Sequence, residues 1–308
     1  MKVSICIITF RRLEGLKRLL DSLNRLEFKS MPPPDVELVV VDNDPDGLAS
    51  ALCQGIKAEL RWPLFSCVEP RRGIAAARNT CIAHALIGAD FVASIDDDEY
   101  AEPCWLEHLL CAALLHEADV VTGPLIPEFE EGIPDWIKRG GFFQRPRFRT
   151  GERIKFALTG NVLVRATVFH RMGSAFDERF SMTGGEDTHF FTRVYLAGHK
   201  MIFANDAVVR EVIPVSRANV KWLLMRAYSN GSILSRCERD LMPSLKRRCR
   251  RFAGGVRRLV QGLCLILPGC FLGRIVLVKG LRQFFTGLGM LAGPFGARYQ
   301  QYRQKTGE

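Results

Sequence analysis

The sequence predicts an α/β protein with a mostly parallel central sheet flanked by helices, followed by a basic, amphipathic helical tail. Two observations predict the sheet. Apolar runs of strand length alternate with helix-length segments from Val3 to Ile213. These runs are nearly continuous in apolar residues, as strands covered by helices on both faces require. The tail is predicted by a third observation, because Arg clusters alternate with apolar runs after Leu241.

The predicted elements follow one another in a regular order. In the first half of the chain each strand precedes one helix, and the pairs are VSICIIT with LEGLKRLLDSLNRL, VELVVVD with GLASALCQGI, LFSCVE with GIAAARNTCIAHALIG, and DFVASID with CWLEHLLCAALLHE. DVVTG adds a strand. Residues 124–151 are rich in Pro, Gly and aromatic residues and predict a long loop over the site. Strand character resumes in FALTGNVLVRATVF, KMIFAND and AVVREVI, with a helix predicted in GGEDTHFFTRVYLAG.

Composition excludes several classes of protein. A chain of 308 residues with 47% hydrophobic and 25% charged residues buries a large core, which excludes wholesale disorder. Ten cysteines without a C-x-x-C pair predict free buried thiols and a cytoplasmic, reducing location. The N-terminal MKVSICIITFRR lacks a small-residue cleavage site, so it is interpreted as the first strand rather than a signal peptide.

The positive charge lies in the tail. From Leu241 onward there are 13 Lys or Arg and one acidic residue, whereas residues 1–240 carry 30 basic and 32 acidic residues. We divide the chain into a domain of residues 1–235 and a basic tail of residues 236–308. The longest uncharged stretch of the tail has 15 residues, fewer than the about 20 that a spanning helix needs.

We expect this tail to lie in the membrane interface, at the inner face of the cytoplasmic membrane, because its Arg clusters suit anionic head groups and its apolar runs suit lipid. The alternative is a buried hairpin whose Arg side chains face water. A nucleic-acid partner is disfavoured, since the tail is rich in leucine.

Carboxylates at predicted strand ends are candidates for a ligand site, since open parallel sheets bind ligands beyond the carboxyl ends of their strands. In SIDDDEY, strand alternation would turn Asp96 and Asp98 the same way, so both could hold one Mg²⁺ or Mn²⁺. A solvated acidic turn is the simpler alternative. In GGEDTHFF, Glu186 and Asp187 are candidates for a helix cap or for a general base.

Two further strand ends carry candidate ligand residues. DNDPDG resembles the opening of a calcium loop, but Cys53 stands at the twelfth position, so calcium is rejected. Asp42 then either closes an Asx-type turn or accepts hydrogen bonds from a nucleobase. In EPRRGIAAARN, Arg78 and Asn79 lie on a predicted helix that could contact phosphate, with surface Arg as the alternative.

Taken in order, the motifs ICIITFRR, VVVDND, GIAAARN, SIDDDEY, TGNVLVRATVF and GGEDTHFFTRVYLAG resemble the family 2 glycosyltransferases of GT-A fold over roughly residues 1–235. The resemblance is strongest to bacterial exopolysaccharide glucosyltransferases of the succinoglycan-biosynthesis type. It implies a nucleotide-sugar donor, UDP-glucose, bound across the strand ends. The positions that match donor-contacting motifs are Thr9 and Arg12, Asp42 as the residue that reads uracil, Arg78 and Asn79, Asp96 and Asp97, and Gly160 and Asn161.

The resemblance also implies the catalytic residues. Asp98 matches the direct ligand of Mg²⁺ or Mn²⁺, with Asp96 beside it, and Asp187 matches the catalytic base, with Glu186 orienting the site. The implied enzyme is a membrane-associated, inverting transferase that extends a lipid-linked oligosaccharide. One departure is Arg210, which stands where related chains often carry His.

Two alternative functions remain open from sequence. A sugar nucleotidyltransferase would need a Gly-rich, Lys/Arg-bearing segment after the first strand, which TFRRLEG does not supply. A non-catalytic, membrane-associated assembly subunit would retain the fold, although both intact acidic pairs argue against it.

Overall fold

The structure is a computed structural model that describes residues 1–173 and 175–295. Its strands are β1 (Lys2–Thr9), β2 (Asp35–Asp42), β3 (Leu64–Val68), β4 (Phe91–Ser94), β5 (Glu99–Ala101), β6 (Val120–Thr122), β7 (Leu125–Phe129), β8 (Val162–Arg165), β9 (Met201–Phe203) and β10 (Val209–Ile213). Its α-helices are α1 (Leu13–Asn24), α2 (Leu48–Ile56), α3 (Ile74–Ala85), α4 (Trp105–Leu115), α5 (Asp135–Gly140), α6 (Ala166–Met172), α7 (Glu186–Leu196), α8 (Val220–Leu241), α9 (Leu245–Leu272) and α10 (Arg274–Ala292).

The central sheet has seven strands in the order β3-β2-β1-β4-β8-β6-β9. β1 pairs in parallel with β2 and β4, whereas β8 is antiparallel to both of its neighbours. One face packs on apolar residues of α1, α2 and α4, and the other on those of α3, α6 and α7. The predicted sheet with helices on both faces is therefore confirmed, since burial on both sides is what nearly continuous apolar strands favour.

The segment predicted as a long loop contains regular structure. β7 and α5 both lie within residues 124–151, and β7 joins β5 and β10 in a second, three-stranded sheet. In FALTGNVLVRATVF only residues 162–165 are strand, because α6 begins at Ala166. These elements have three to seven residues, too few for their periodicity to stand out in the sequence.

The chain forms two compact units. The first comprises Met1–Glu128, Arg145–Ser181 and Phe190–Val212, and the second comprises Phe129–Gln144, Met182–His189 and the chain from Ile213. The boundary predicted after residue 235 falls inside α8. Aromatic residues of the 129–144 segment account for the difference, because Phe142 packs with Leu223 and Val278 in the second unit.

The tail is helical, as predicted. By length and composition alone, two helical segments of the tail are long and apolar enough to cross a membrane. They are Leu245–Leu272, with 28 residues, and Arg274–Phe295, with 22. Both segments are longer than the 15-residue uncharged stretch on which the sequence-based prediction rested, because each of them also includes Lys or Arg. Residues 296–308 of the predicted tail lie outside the described residues.

All ten cysteines fall within the described residues and are free thiols, as predicted. Their burial differs along the chain. Cys6, Cys53, Cys81 and Cys237 are buried, as predicted, whereas the cysteines of α9 are exposed, so the predicted burial is wrong for them.

Candidate active site at the carboxyl end of β4

The three aspartates form a turn between β4 and β5. The backbone N–H of Glu99 donates to the Asp96 carbonyl at 3.0 Å, and the Asp96 N–H donates to the Glu99 carboxylate at 3.0 Å. One carboxylate oxygen each of Asp96, Asp98 and Glu99 lies within 4.8 Å of the others. Asp96 and Asp98 thus share a side, but the turn brings them together rather than strand alternation, because β4 already ends at Ser94.

Asp97 points inward and anchors the turn. It is 4% exposed, and its carboxylate accepts hydrogen bonds from the Thr9 hydroxyl at 2.9 Å and from Arg12 Nη1 at 2.8 Å. Burial raises the pKa of Asp97 to about 6, against the opposing effect of the Arg12 charge. Thr9 and Asp97, both predicted to contact a donor, therefore contact each other and fix the end of β1 to the turn.

Two arginines balance the negative charge of the turn. Arg12 Nη1 also donates to Asp98 Oδ2 at 3.1 Å, and Arg78 Nη2 donates to Asp96 Oδ1 at 2.8 Å. Arg12 lies just before α1, and Arg78 comes from α3 and is 7% exposed. Each guanidinium lies within hydrogen-bond distance of a carboxylate. The positive charges of the two arginines therefore offset the repulsion between the carboxylates.

Glu99 is a site residue that the sequence analysis missed. It is 2% exposed, and burial, followed by the charges of Asp96, Asp98 and Glu211, raises its pKa well above the usual range for glutamate. Gly160 makes room for it, since a Cβ there would lie 2.3 Å from Glu99 Oε1. The available signal was the fourth acidic residue of DDDE together with the glycine of TGN.

Asn161, which the resemblance places beside the donor sugar or acceptor, makes its side-chain hydrogen bonds within the protein. It is fully buried; its Oδ1 accepts from Trp105 Nε1 at 2.8 Å, and its Nδ2 donates to the Ala207 carbonyl at 2.8 Å and the Pro124 carbonyl at 3.0 Å. Both amide hydrogens and the amide oxygen are thus used within the protein. Asn161 thus holds together three segments of the chain that are distant in sequence.

Asn79 and Asp42 also contact the protein itself. The Asn79 side chain pairs with the backbone of Phe176, donating to its carbonyl and accepting from its N–H, both at 2.8 Å. Asp42 is 1% exposed and accepts from the backbone N–H groups of Asp44 and Ala49 at 3.0 and 2.9 Å. This geometry is the Asx-type turn, the alternative to a contact with a nucleobase.

Arg210 is paired within the small sheet. Its Nε donates to Glu102 Oε1 at 2.6 Å, and its backbone lies opposite Tyr100 of β5. The Glu102 carboxylate raises the pKa of Arg210, so its positive charge is partnered inside the protein.

The second acidic pair opens α7 and belongs to the second unit. Glu186 is 2% exposed, and Asp187 is half-buried. The preceding loop lies on α8: Arg236 Nη1 donates to Thr183 Oγ1 at 3.2 Å, and Gly185, with φ of 92°, leaves no space for a Cβ beside Ile233. Packing on α8 therefore fixes the backbone that presents both carboxylates.

The aspartate turn fits a divalent cation. Carboxylate oxygens are the ligands that Mg²⁺ and Mn²⁺ prefer, and Asp96 and Asp98 offer one each on the same side of the turn. The nearby guanidinium groups of Arg12 and Arg78 suit an anionic ligand such as a diphosphate.

Known proteins resemble this chain in sequence and in fold. Residues 4–173, more than half of the chain, match the family described as Glycosyl transferase family 2. The succinoglycan biosynthesis protein ExoM of Rhizobium meliloti (strain 1021) is 32% identical over 233 residues, which cover 75% of this chain and 73% of that protein.

Two solved structures resemble the chain at low sequence identity. The mannosyltransferase PcManGT from Pyrobaculum calidifontis, in complex with GDP-Man and Mn²⁺, aligns with a TM-score of 0.64 and 16% identity over 95% of this chain and 87% of that one. S. aureus TarS 1-349, in complex with UDP-GlcNAc, aligns with a TM-score of 0.54 and 18% identity over 98% and 93%. The fold is the predicted GT-A fold, and the chain belongs to glycosyl transferase family 2.

Proposed function

We propose that the protein is an inverting, metal-dependent hexosyltransferase that moves glucose from UDP-glucose to a lipid-linked oligosaccharide in exopolysaccharide biosynthesis, at the inner face of the cytoplasmic membrane. The observation that carries this proposal is the turn in which Asp96 and Asp98 share a side, with Arg12 and Arg78 bound to them. Similarity to a succinoglycan biosynthesis protein supports the product class.

The residues of this chain have distinct tasks in the proposed reaction. Asp96 and Asp98 would hold Mg²⁺ or Mn²⁺, which neutralises charge on the departing diphosphate when bound. Arg12 and Arg78 add fixed positive charge beside that leaving group. Glu99 and Asp97 are proposed to stabilise the conformation of the turn, since both are buried and hydrogen-bonded within the protein.

Asp187 is the proposed general base. Its carboxylate takes the proton of the acceptor hydroxyl while that oxygen bonds to C1 of the sugar. The bond between C1 and the phosphate oxygen breaks, and its electron pair leaves with the nucleoside diphosphate. Because attack comes from the face opposite the leaving group, an α-linked donor yields a β-linked product. Glu186 is proposed to orient the acceptor.

Release of nucleoside diphosphate tests the proposal. The full-length protein is supplied with UDP-glucose, UDP-GlcNAc or GDP-mannose, with Mn²⁺ or with EDTA, and with membrane extract as the source of lipid-linked acceptor. We expect UDP release from UDP-glucose that requires both Mn²⁺ and extract. Asp98→Asn should lower this rate by at least about 100-fold, whereas Asp21→Asn, at an exposed aspartate of α1, should not. Donor binding without turnover on any acceptor would assign the chain to the non-catalytic assembly class.

A further inference from the structure

Helix α9 carries an exposed apolar surface at its C-terminal end. Between residues 260 and 272 the exposed apolar side chains are Val260, Leu263, Leu265, Leu267, Phe271 and Leu272. Phe271 is 91% exposed and Leu267 is 73% exposed. The stretch from Leu259 to Gly273 contains no charged residue, so about 20 Å of helix exposes apolar side chains without an intervening charge. A surface of this size in water marks an interaction site.

The N-terminal half of the same helix is positively charged. Residues 245–258 contain seven Lys or Arg and no acidic residue. Arg247, Arg248 and Arg250 are exposed, whereas Arg251 pairs with Glu238. The surface beside the apolar end therefore has an excess of positive charge, which is complementary to an anionic lipid surface and repels another copy of itself.

Glycine contacts join α9 to the rest of the second unit. A Cβ on Gly262 would lie 2.6 Å from the Phe284 backbone nitrogen of α10. A Cβ on Gly289 would lie 2.0 Å from the Tyr228 carbonyl oxygen of α8. Such close backbone approach through small residues is typical of helices that associate in lipid. The three helices consequently pack as one body.

The same body carries the segment before α7. Gly185 packs on Ile233 of α8, and Thr183 accepts a hydrogen bond from the buried Arg236 of α8. An unbroken series of contacts within the second unit thus runs from the exposed face of α9, through α10 and α8, to the loop that ends at Asp187.

We infer that α9 docks the protein on an anionic lipid bilayer, with its 260–272 end inserted among the acyl chains and its exposed arginines against lipid phosphates. Docking then fixes the position of Asp187 relative to the bilayer, which suits an acceptor that is itself held by a lipid. This last step rests on the proposed function, whereas the docking itself rests only on the surface of α9.

Vesicle flotation tests the docking. The full-length protein is mixed with vesicles of phosphatidylglycerol and phosphatidylcholine in equal parts, or of phosphatidylcholine alone. We expect flotation with the anionic vesicles that weakens at 0.5 M NaCl, since salt screens exposed charges. The double variant Leu267→Glu with Phe271→Glu should bind at least about 10-fold more weakly to both vesicle types. Arg247→Glu with Arg248→Glu should remove the preference for anionic lipid.

A matched control uses the first unit. Ile87 and Leu115 are 67% and 79% exposed there, and the double variant Ile87→Glu with Leu115→Glu should float like wild type. Unchanged flotation of the Leu267/Phe271 variant, or no flotation of wild type, would overturn the inference. A wild-type dimer that this variant converts to a monomer, without any lipid binding, would assign the α9 face to a second copy instead.

Release of UDP from UDP-glucose in detergent-solubilised extract separates the two proposals. The Leu267/Phe271 variant should release UDP at the wild-type rate in detergent, while losing at least about 10-fold in activity on intact membranes. No UDP release by any protein would refute the proposed function, and flotation would still decide the docking.

Discussion

At the scale of single residues, the three consecutive aspartates have two different tasks. Asp97 is buried against Thr9 and Arg12, so it fixes the turn. Asp96 and Asp98 are less buried and bond to Arg78 and Arg12. The electrostatic cost of three adjacent carboxylates is thus met first by protein groups, and a cation would add to this balance rather than create it.

The sequence identified the acidic pairs but not their supports. Asp96 and Asp98 follow from the strand-end rule and from the motif. The internal hydrogen bonds of Asn161 could not be predicted, because its partners, at positions 105, 124 and 207, are distant in sequence and come together only in the fold. Glu99 was missed because its burial beside Gly160 depends on a contact between segments that are distant in sequence, so DDDE and TGN were not read together.

Asp187→Asn tests the proposed base. The amide keeps the size of the side chain but cannot accept a proton, so we expect transfer to fall by about 100- to 10,000-fold while the dissociation constant for UDP stays within twofold of wild type. UDP release and calorimetry measure the two quantities. Asp135→Asn is the matched control, because Asp135 also opens a helix of the second unit and is exposed. Transfer within threefold of wild type would exclude Asp187 as the base.

At the scale of elements, long apolar runs were predictable and short segments were not. β1 was predicted from its nearly continuous apolar run, and α1 from apolar residues that repeat at the period of a helix. β5 has three residues directly after the aspartate turn, and α5 has six, so neither has enough residues to establish a period. The paired packing of α9 and α10 depends on glycines, which carry no hydropathy signal.

The glycine contacts of α9 predict a position-specific cost. Gly262→Ala places a Cβ 2.6 Å from a backbone nitrogen, so we expect a loss of about 2 kcal/mol in the free energy of unfolding. Gly254→Ala on the same helix meets only the flexible end of Met290 at 3.2 Å, and should be neutral or stabilising by about 0.5–1 kcal/mol. Denaturant titration in detergent measures both. Equal effects at the two positions would contradict the close helix packing.

Glu107 of α4 predicts a pH dependence of stability. Burial raises its pKa, but backbone N–H groups of Ser30, Lys29 and Met31 donate to Glu107 Oε1 and the net effect lowers the pKa. A lowered pKa stabilises the fold above the unfolded pKa of about 4.3, and this stability is lost as pH falls through the folded value.

Glu107→Gln removes that charge while keeping the shape of the side chain. At pH 7 we expect the variant to lose about 1–2 kcal/mol in the free energy of unfolding, because three hydrogen bonds to a charged oxygen become weaker bonds to a neutral amide oxygen. The difference from wild type should shrink below pH 4. Thermal unfolding at several pH values measures it, and a difference that does not change with pH would contradict the assignment.

At the scale of the whole molecule, the chain assigns its proposed tasks to two units. The first holds the central sheet and the aspartate turn, and the second holds Glu186 and Asp187, proposed to act on the acceptor, and the helices proposed to dock on lipid. The sequence predicted a division at residue 235, from the extent of the family resemblance together with the charge of the tail. It could not reveal that residues 129–144 and 182–189 belong with the C-terminal helices, because that grouping is made by packing.

The central claim is that the aspartate turn holds a cation that binds the nucleoside diphosphate of the donor. Calorimetric titration of UDP into the full-length protein, with and without Mn²⁺, tests it most directly. We predict that Mn²⁺ tightens UDP binding by at least about 10-fold in wild type and in the control Asp21→Ala, but not in Asp98→Ala. If Asp98→Ala retains the full effect of Mn²⁺ on UDP affinity, the metal site lies elsewhere and this account of the turn is wrong.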